Sequence, residues 1–216
     1  MVSYADCDIK KDCENDSETC DKEKVKIYSK LNGLNQNDPN LIQVLRDDIL
    51  LKPKRGKLNL DRPPSPQNLR AQYGQPYMVE DILKKYKIWK KIKKRKQQGF
   101  FIEAGAVDGE YLSNTLFFEM KYSWTGLLVE PNPSSLKALY KKHRKSYILP
   151  HCLSTKPEVE MVNFDVSDVL SGIIVEGKVK PSRVDDPNPG RSDKKYERKI
   201  QVSYKCEVLF SNMKAI

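Results

Sequence analysis

The residues whose types and order bear on chemistry lie in one stretch, Glu103-Ala104-Gly105-Ala106-Val107-Asp108-Gly109. It follows a predicted strand, GFFIEAGA, and precedes a predicted helix. Glycines there let the chain turn sharply at a strand's carboxyl end and let a ligand approach the backbone. The spacing is G-x-x-x-G rather than the G-x-G-x-x-G of dinucleotide folds, whose glycines bring a helix N-terminus against a pyrophosphate. Here Glu103 precedes the first glycine and Asp108 lies inside the loop. Negative charge is unfavourable beside a phosphate and suits a ligand with a positive amino group, such as S-adenosylmethionine. A second acid, Glu130, ends the next predicted strand, TGLLVEP. A carboxylate at that place can take both hydroxyls of a ribose. The same residues also fit a plain tight strand-to-helix turn, with Glu130 as a solvated strand end. Spacing alone leaves both readings open.

The elements that must position these residues follow from periodicity. Residues 111–121 predict a helix after the glycine loop. Asn132 caps a further helix over PSSLKALYKKHRK, with Pro133 at its first position. SYILPHCL predicts a third strand. Strand–helix–strand–helix–strand at this spacing predicts a parallel α/β sheet. Beyond Lys156, Val159–Phe164, Gly172–Val175 and Lys199–Tyr204 read as strands, residues 180–196 as a polar loop, and CEVLFSNMKAI as the start of a last helix. Ahead of the sheet, residues 1–37 read as a disordered leader. Leu41, Val44, Leu45 and Ile49 recur at helical spacing behind Pro39, and predict one short helix. Residues 52–77 hold five Pro and two Gly and predict an extended connector. Val79–Gln97 predicts a longer amphipathic helix with Ile82, Leu83, Tyr86, Trp89 (or Ile88) and Ile92 on its apolar stripe.

The residues 100–154, FFIEAGAVDGEYLSNTLFFEMKYSWTGLLVEPNPSSLKALYKKHRKSYILPHCLS, resemble the first half of an FkbM-type methyltransferase domain. They are still more similar to the version found in Star-like proteins of arthropods. DPNLIQVL and PSPQNLRAQYGQPYMVEDIL resemble the region before that domain. The resemblance implies a Rossmann-like fold of the S-adenosylmethionine-dependent methyltransferase type, here a partial parallel sheet with N-terminal helices. It implies that Glu103, Gly105, Ala106 and Gly109 lie at the cofactor's methionine end and Glu130 at its ribose. It further implies that Cys152 and Leu153 lie near the adenine and that Ser113 and Asn114 belong to the same site. Domain boundaries on this reading are 1–37, 38–98 and 99–216. A further strand of the family carries a D-x-E-G-like motif beside the reacting centre, and the chain stops upstream of it. It reads as C-terminally truncated relative to that family. Catalytic residues are not assigned.

Two functions of different classes follow. One is a Star-like regulator of vesicle-mediated traffic (endoplasmic reticulum, Golgi, endosome) and of epidermal growth factor receptor signalling, with cargo or receptor-ligand precursors as partners. The other is an active methyltransferase on an unknown acceptor. The resemblance implies secretory-pathway membranes, whereas no transmembrane run and no signal peptide occur in the sequence, which alone reads as cytoplasmic.

Charge narrows the partners. The formal net charge is +10, and nine of the thirteen residues in KKYKIWKKIKKRK, Lys84 to Lys96, are basic. Without those nine the remaining charges nearly balance, which argues against a surface built to coat nucleic acid. The run reads as the solvated face of a packed helix, as a contact to an anionic membrane, or least of all as a nucleic-acid contact. With two His in the chain, a His-rich metal site is excluded. Cys7, Cys13 and Cys20 are spaced too widely for a short zinc loop.

Overall fold

The computed structural model describes residues 31–90, 98–153, 156–165, 172–173 and 203–209. The fold is mixed α/β. Three parallel strands, β1 (Phe100–Ala104), β2 (Thr125–Val129) and β3 (Tyr147–Leu149), lie in the order β1-β2-β3. Register pairs Phe101 with Gly126, Glu103 with Leu128, and Leu128 with Ile148. Side chains alternate across such a sheet, so Phe101, Glu103, Leu128 and Ile148 share one face. Phe117 and Phe118 of α3 (Leu116–Tyr122) and Leu136 and Leu139 of α4 (Pro133–Lys141) cover it. Leu127, Val129 and Leu149 face the other way. There they meet Leu41 of α1 (Pro39–Val44), Ile49 of the following π-helical turn, Leu31 and Val159.

Sequence expectations hold best where a local signal is strong. Asn132 does cap α4: its side chain accepts from the Ser134 amide at 3.0 Å. Asp38 caps α1 in the same way. Departures have physical causes. Residues 31–37, placed in the leader by composition, belong to the fold. Leu31 is 2 % exposed, Gly33 N–H donates to Val159 O at 2.8 Å, and Asn35 bridges Glu158. Residues 1–30 lie outside the described residues, as do 91–97 of the basic helix and the loop at 180–196. The expected single strand SYILPHCL splits. β4 (Cys152–Leu153) leaves the parallel sheet and pairs with β7 (Ser203–Leu209). β7 also pairs antiparallel with β5 (Glu160–Asp165), which pairs with the short β6 (Gly172–Ile173). Residues 206–209 of the expected last helix are therefore strand, because cross-strand pairing overrides a weak local pattern, and 210–216 lie outside the described residues.

The connector at 52–77 is a strap fastened to the domain. Leu51 exchanges both backbone hydrogen bonds with Ile148, at 2.9 and 3.0 Å, and so covers the β3 edge. Asn59 N–H donates to Lys142 O, and the Asp61 and Arg62 amides donate to the Glu110 carboxylate. The longer helix starts at Gln75 and ends at Lys85, forming α2. Lys87 has φ 54, and this left-handed residue breaks the run expected to continue to Gln97. Trp89 beyond the break stacks on Tyr122 with ring centroids 3.9 Å apart.

Candidate functional site

β1 delivers its carboxyl end to a tight turn. The amides of Gly105 and Ala106 both donate to Val129 O at the end of β2, at 2.9 and 3.1 Å. Gly109 N–H then closes onto Ala106 O at 2.7 Å. The two glycines have positive φ, 74° and 77°, but differ in purpose. A methyl group at Gly105 would meet nothing within 4 Å, whereas one at Gly109 would overlap Leu139 Cδ1 of α4. Gly105 thus leaves open space for a close approach, and Gly109 lets a helix pack tightly. Val107, between them, has φ 50, a sterically costly conformation for a β-branched residue.

Glu103 is held by the residues that follow the loop. Its Oε2 accepts from Ser113 Oγ at 2.8 Å and from Thr115 Oγ1 at 2.6 Å, and its Oε1 accepts from the Asn114 amide at 2.6 Å. Ser113 Oγ also accepts the Leu116 amide at 3.2 Å. These commitments explain why α3 begins at Leu116 rather than near Tyr111. Arg144 extends the network. Its Nη1 donates to Gly109 O and Ser113 Oγ, its Nη2 to Thr115 Oγ1, and its Nε to Glu119 Oε2 at 2.9 Å. Arg144 and Glu119 are both fully buried, so this is a buried ion pair satisfied on every side.

Glu130 stands at the end of β2 in different company. Its Oε2 accepts the Val107 amide at 2.7 Å and its Oε1 the Asn132 amide at 2.8 Å. The residue is 4 % exposed. Burial pushes its carboxyl above the ordinary range, and the two amides offset that only in part. The strained Val107 backbone is therefore what holds the loop against Glu130.

The remaining expected residues are placed as follows. Ala106 is buried in the core beside Phe101 and Leu139. Ser113 and Asn114 come together with Glu103 as its donors. Cys152 is buried and disulfide-bonded, and Leu153 is half-buried beside the second core cluster. Asp108 is half-buried, and its Oδ1 accepts the amides of Glu110 and Tyr111. His151 is fully buried, and burial lowers its imidazole to about 3, so it is neutral.

Sequence reasoning missed Arg144, Glu110 and Lys142. Lys142 Nζ reaches Glu110 Oε2 at 2.7 Å and Asp61 Oδ2 at 2.5 Å. Burial would raise Glu110, but Lys142 and the Asp61 and Arg62 amides outweigh it and lower the carboxyl. Burial would likewise lower Lys142, and its two acids raise it instead. In KKHRK, Lys142 and Arg144 look like ordinary helix-end cations, and no local signal separates them.

The backbone at Gly105 is open to close approach. Both carboxylates already accept hydrogen bonds from the protein. Glu103 has three protein donors, and Glu130 has two, both backbone amides. No metal-holding group of His, Cys, Asp and Glu occurs among the described residues. No helix among them is long and apolar enough to cross a membrane. No family model, curated protein or solved structure matches this chain.

Proposed function

We propose that this chain is a Star-like regulator of vesicle-mediated traffic and growth-factor receptor signalling, in which a Rossmann-like, methyltransferase-type sheet serves as a binding module. The observation that carries this reading is the engagement of Glu103 and Glu130 inside the protein. Both acids hold the loop and the helix starts, which gives each a structural use that needs no cofactor. The disulfide at Cys152 supports the secretory-pathway placement, because such bonds persist in oxidising compartments. Partners on this reading are secretory cargo or a receptor-ligand precursor.

The second reading is an active S-adenosylmethionine-dependent methyltransferase. It is favoured by the open space at Gly105. Calorimetric titration of the full chain with S-adenosylmethionine separates the two. The binding-module reading expects no saturable heat, and a saturable isotherm abolished by a bulky side chain at Gly105 would favour the enzyme. For the traffic role, the protein is expected to fractionate with secretory-pathway membranes, and Cys152 to resist alkylation until reduced. A purely cytosolic distribution with a free Cys152 thiol would overturn it.

A further inference from the structure

α2 is apolar on two opposite sides. Its inward side carries Leu83, Tyr77 and the buried Glu80 against the domain core. Its outward side carries Met78, Val79, Ile82 and Tyr86, which are 62, 42, 52 and 62 % exposed. At helical spacing these four fall within one arc ~100° wide. Helices on a domain surface normally turn charged residues outward, so this arc is unexplained by packing. Its surroundings are cationic. Lys85, Lys87 and Lys90 lie beside it and form no ion pair among the described residues, and the sequence continues with a basic run to Lys96. Asp81 is the exposed acid on the helix, and it is paired with Lys84.

We propose that this outward face of α2 is a docking surface for an anionic lipid bilayer. Apolar side chains in the middle, a tyrosine at the helix end and lysines at the flank match the layered chemistry of a headgroup boundary. The lysine stems carry their charges to phosphates while the apolar arc sinks between the lipids. A second copy of the chain fits the surface poorly. A two-fold contact here would set the same lysines against one another. The inference is independent of the methyltransferase-type sheet, since α2 lies outside it.

The test is co-sedimentation of the full chain with phosphatidylcholine vesicles, with and without phosphatidylserine, across a salt series. The expected result is binding to the phosphatidylserine vesicles, at least ~tenfold tighter than to phosphatidylcholine alone and weakened by salt. Met78→Glu with Ile82→Glu is expected to lower that binding by at least ~tenfold while leaving the thermal transition in place, because both side chains are exposed. Binding that survives the double substitution, or no binding to the anionic vesicles, overturns the proposal. So does concentration-dependent self-association in the ultracentrifuge that the substitutions abolish, which would make the face a contact between copies. Tighter binding to RNA than to the vesicles, unaffected by the substitutions, overturns it as well.

Discussion

Glu103 and Glu130 stand at the ends of neighbouring parallel strands, both close to the same glycine loop, yet their surroundings are unlike. Glu103 is surrounded by hydroxyls and an amide from its own connector, and those hydroxyls lead to a buried guanidinium. Glu130 meets two backbone amides, and burial raises its carboxyl. Residue type and strand position are shared. What differs is whether charge reaches the acid through a side-chain network. An acid supported in this way is a structural part, since removing it strands its donors. An acid supported by backbone alone keeps an electrostatic cost in the folded state, and the strained Val107 loop stays pressed on it. The second arrangement is the one where a ligand or a partner could gain by offering a better donor.

The largest expected effect breaks the network. Arg144→Met leaves the buried Glu119 carboxylate without its cation and should cost ~3–5 kcal/mol in urea denaturation. A loss below ~1 kcal/mol would remove the basis for setting the Glu103 region apart. Next is the paired test of the glycines. Gly109→Ala combines a left-handed backbone with an overlap on Leu139, and should cost ~2–4 kcal/mol. Gly105→Ala carries the backbone penalty alone, ~1–2 kcal/mol. Equal losses would deny the two glycines separate purposes.

The comparison was half legible in sequence. The glycine loop, both acids, β1, β2 and the Asn132 cap were readable because each rests on a local signal: a buried apolar run, a capping side chain, a residue tolerant of positive φ. The partners of Glu103 were not. Arg144 lies far along the chain, and its neighbours Lys141, Lys142 and Lys145 look the same by type. Leu31 was hidden by polar neighbours, since one leucine carries no period. In α2 Leu83 packs against the core while its neighbour Ile82 is exposed, so the stripe expected through both is only partly buried. Tyr86 proved exposed, while Trp89 joined the aromatic stack with Tyr122 and Trp124.

Smaller effects come from pH, and two acids should move in opposite directions. Burial would raise Glu80, but hydrogen bonds from Lys121, Tyr122 and Lys84 outweigh it and hold the carboxyl at about 2. Its contribution is complete above the ordinary carboxylate value of 4.5 and is lost as pH falls towards about 2. Glu130 is raised, so its contribution is present below 4.5 and lost as pH rises through its folded value. Glu130→Gln should remove that upper loss and cost ~1 kcal/mol at low pH, where one amide loses its acceptor. Stability curves of the two proteins that run parallel as pH rises above 4.5 would contradict the assignment. Tyr122→Phe should be smallest, ~0.5–1.5 kcal/mol near neutrality, with a shallower acid limb. An unchanged acid limb would show that Tyr122 adds nothing to Glu80.

The segment from residue 31 to 62 has a temporal consequence. Gly33 and Leu34 pair with Val159, Leu51 with Ile148, and the Asp61 and Arg62 amides with Glu110. Each early segment closes on a much later one. During synthesis this segment leaves the ribosome before any of these partners; Glu110 emerges next, then Ile148 and last Val159. Such distant closures are slow to form. The interval before they form is when Leu41, Ile49 and Leu51 stand in water, and it is when this chain depends most on chaperones to keep it from aggregating.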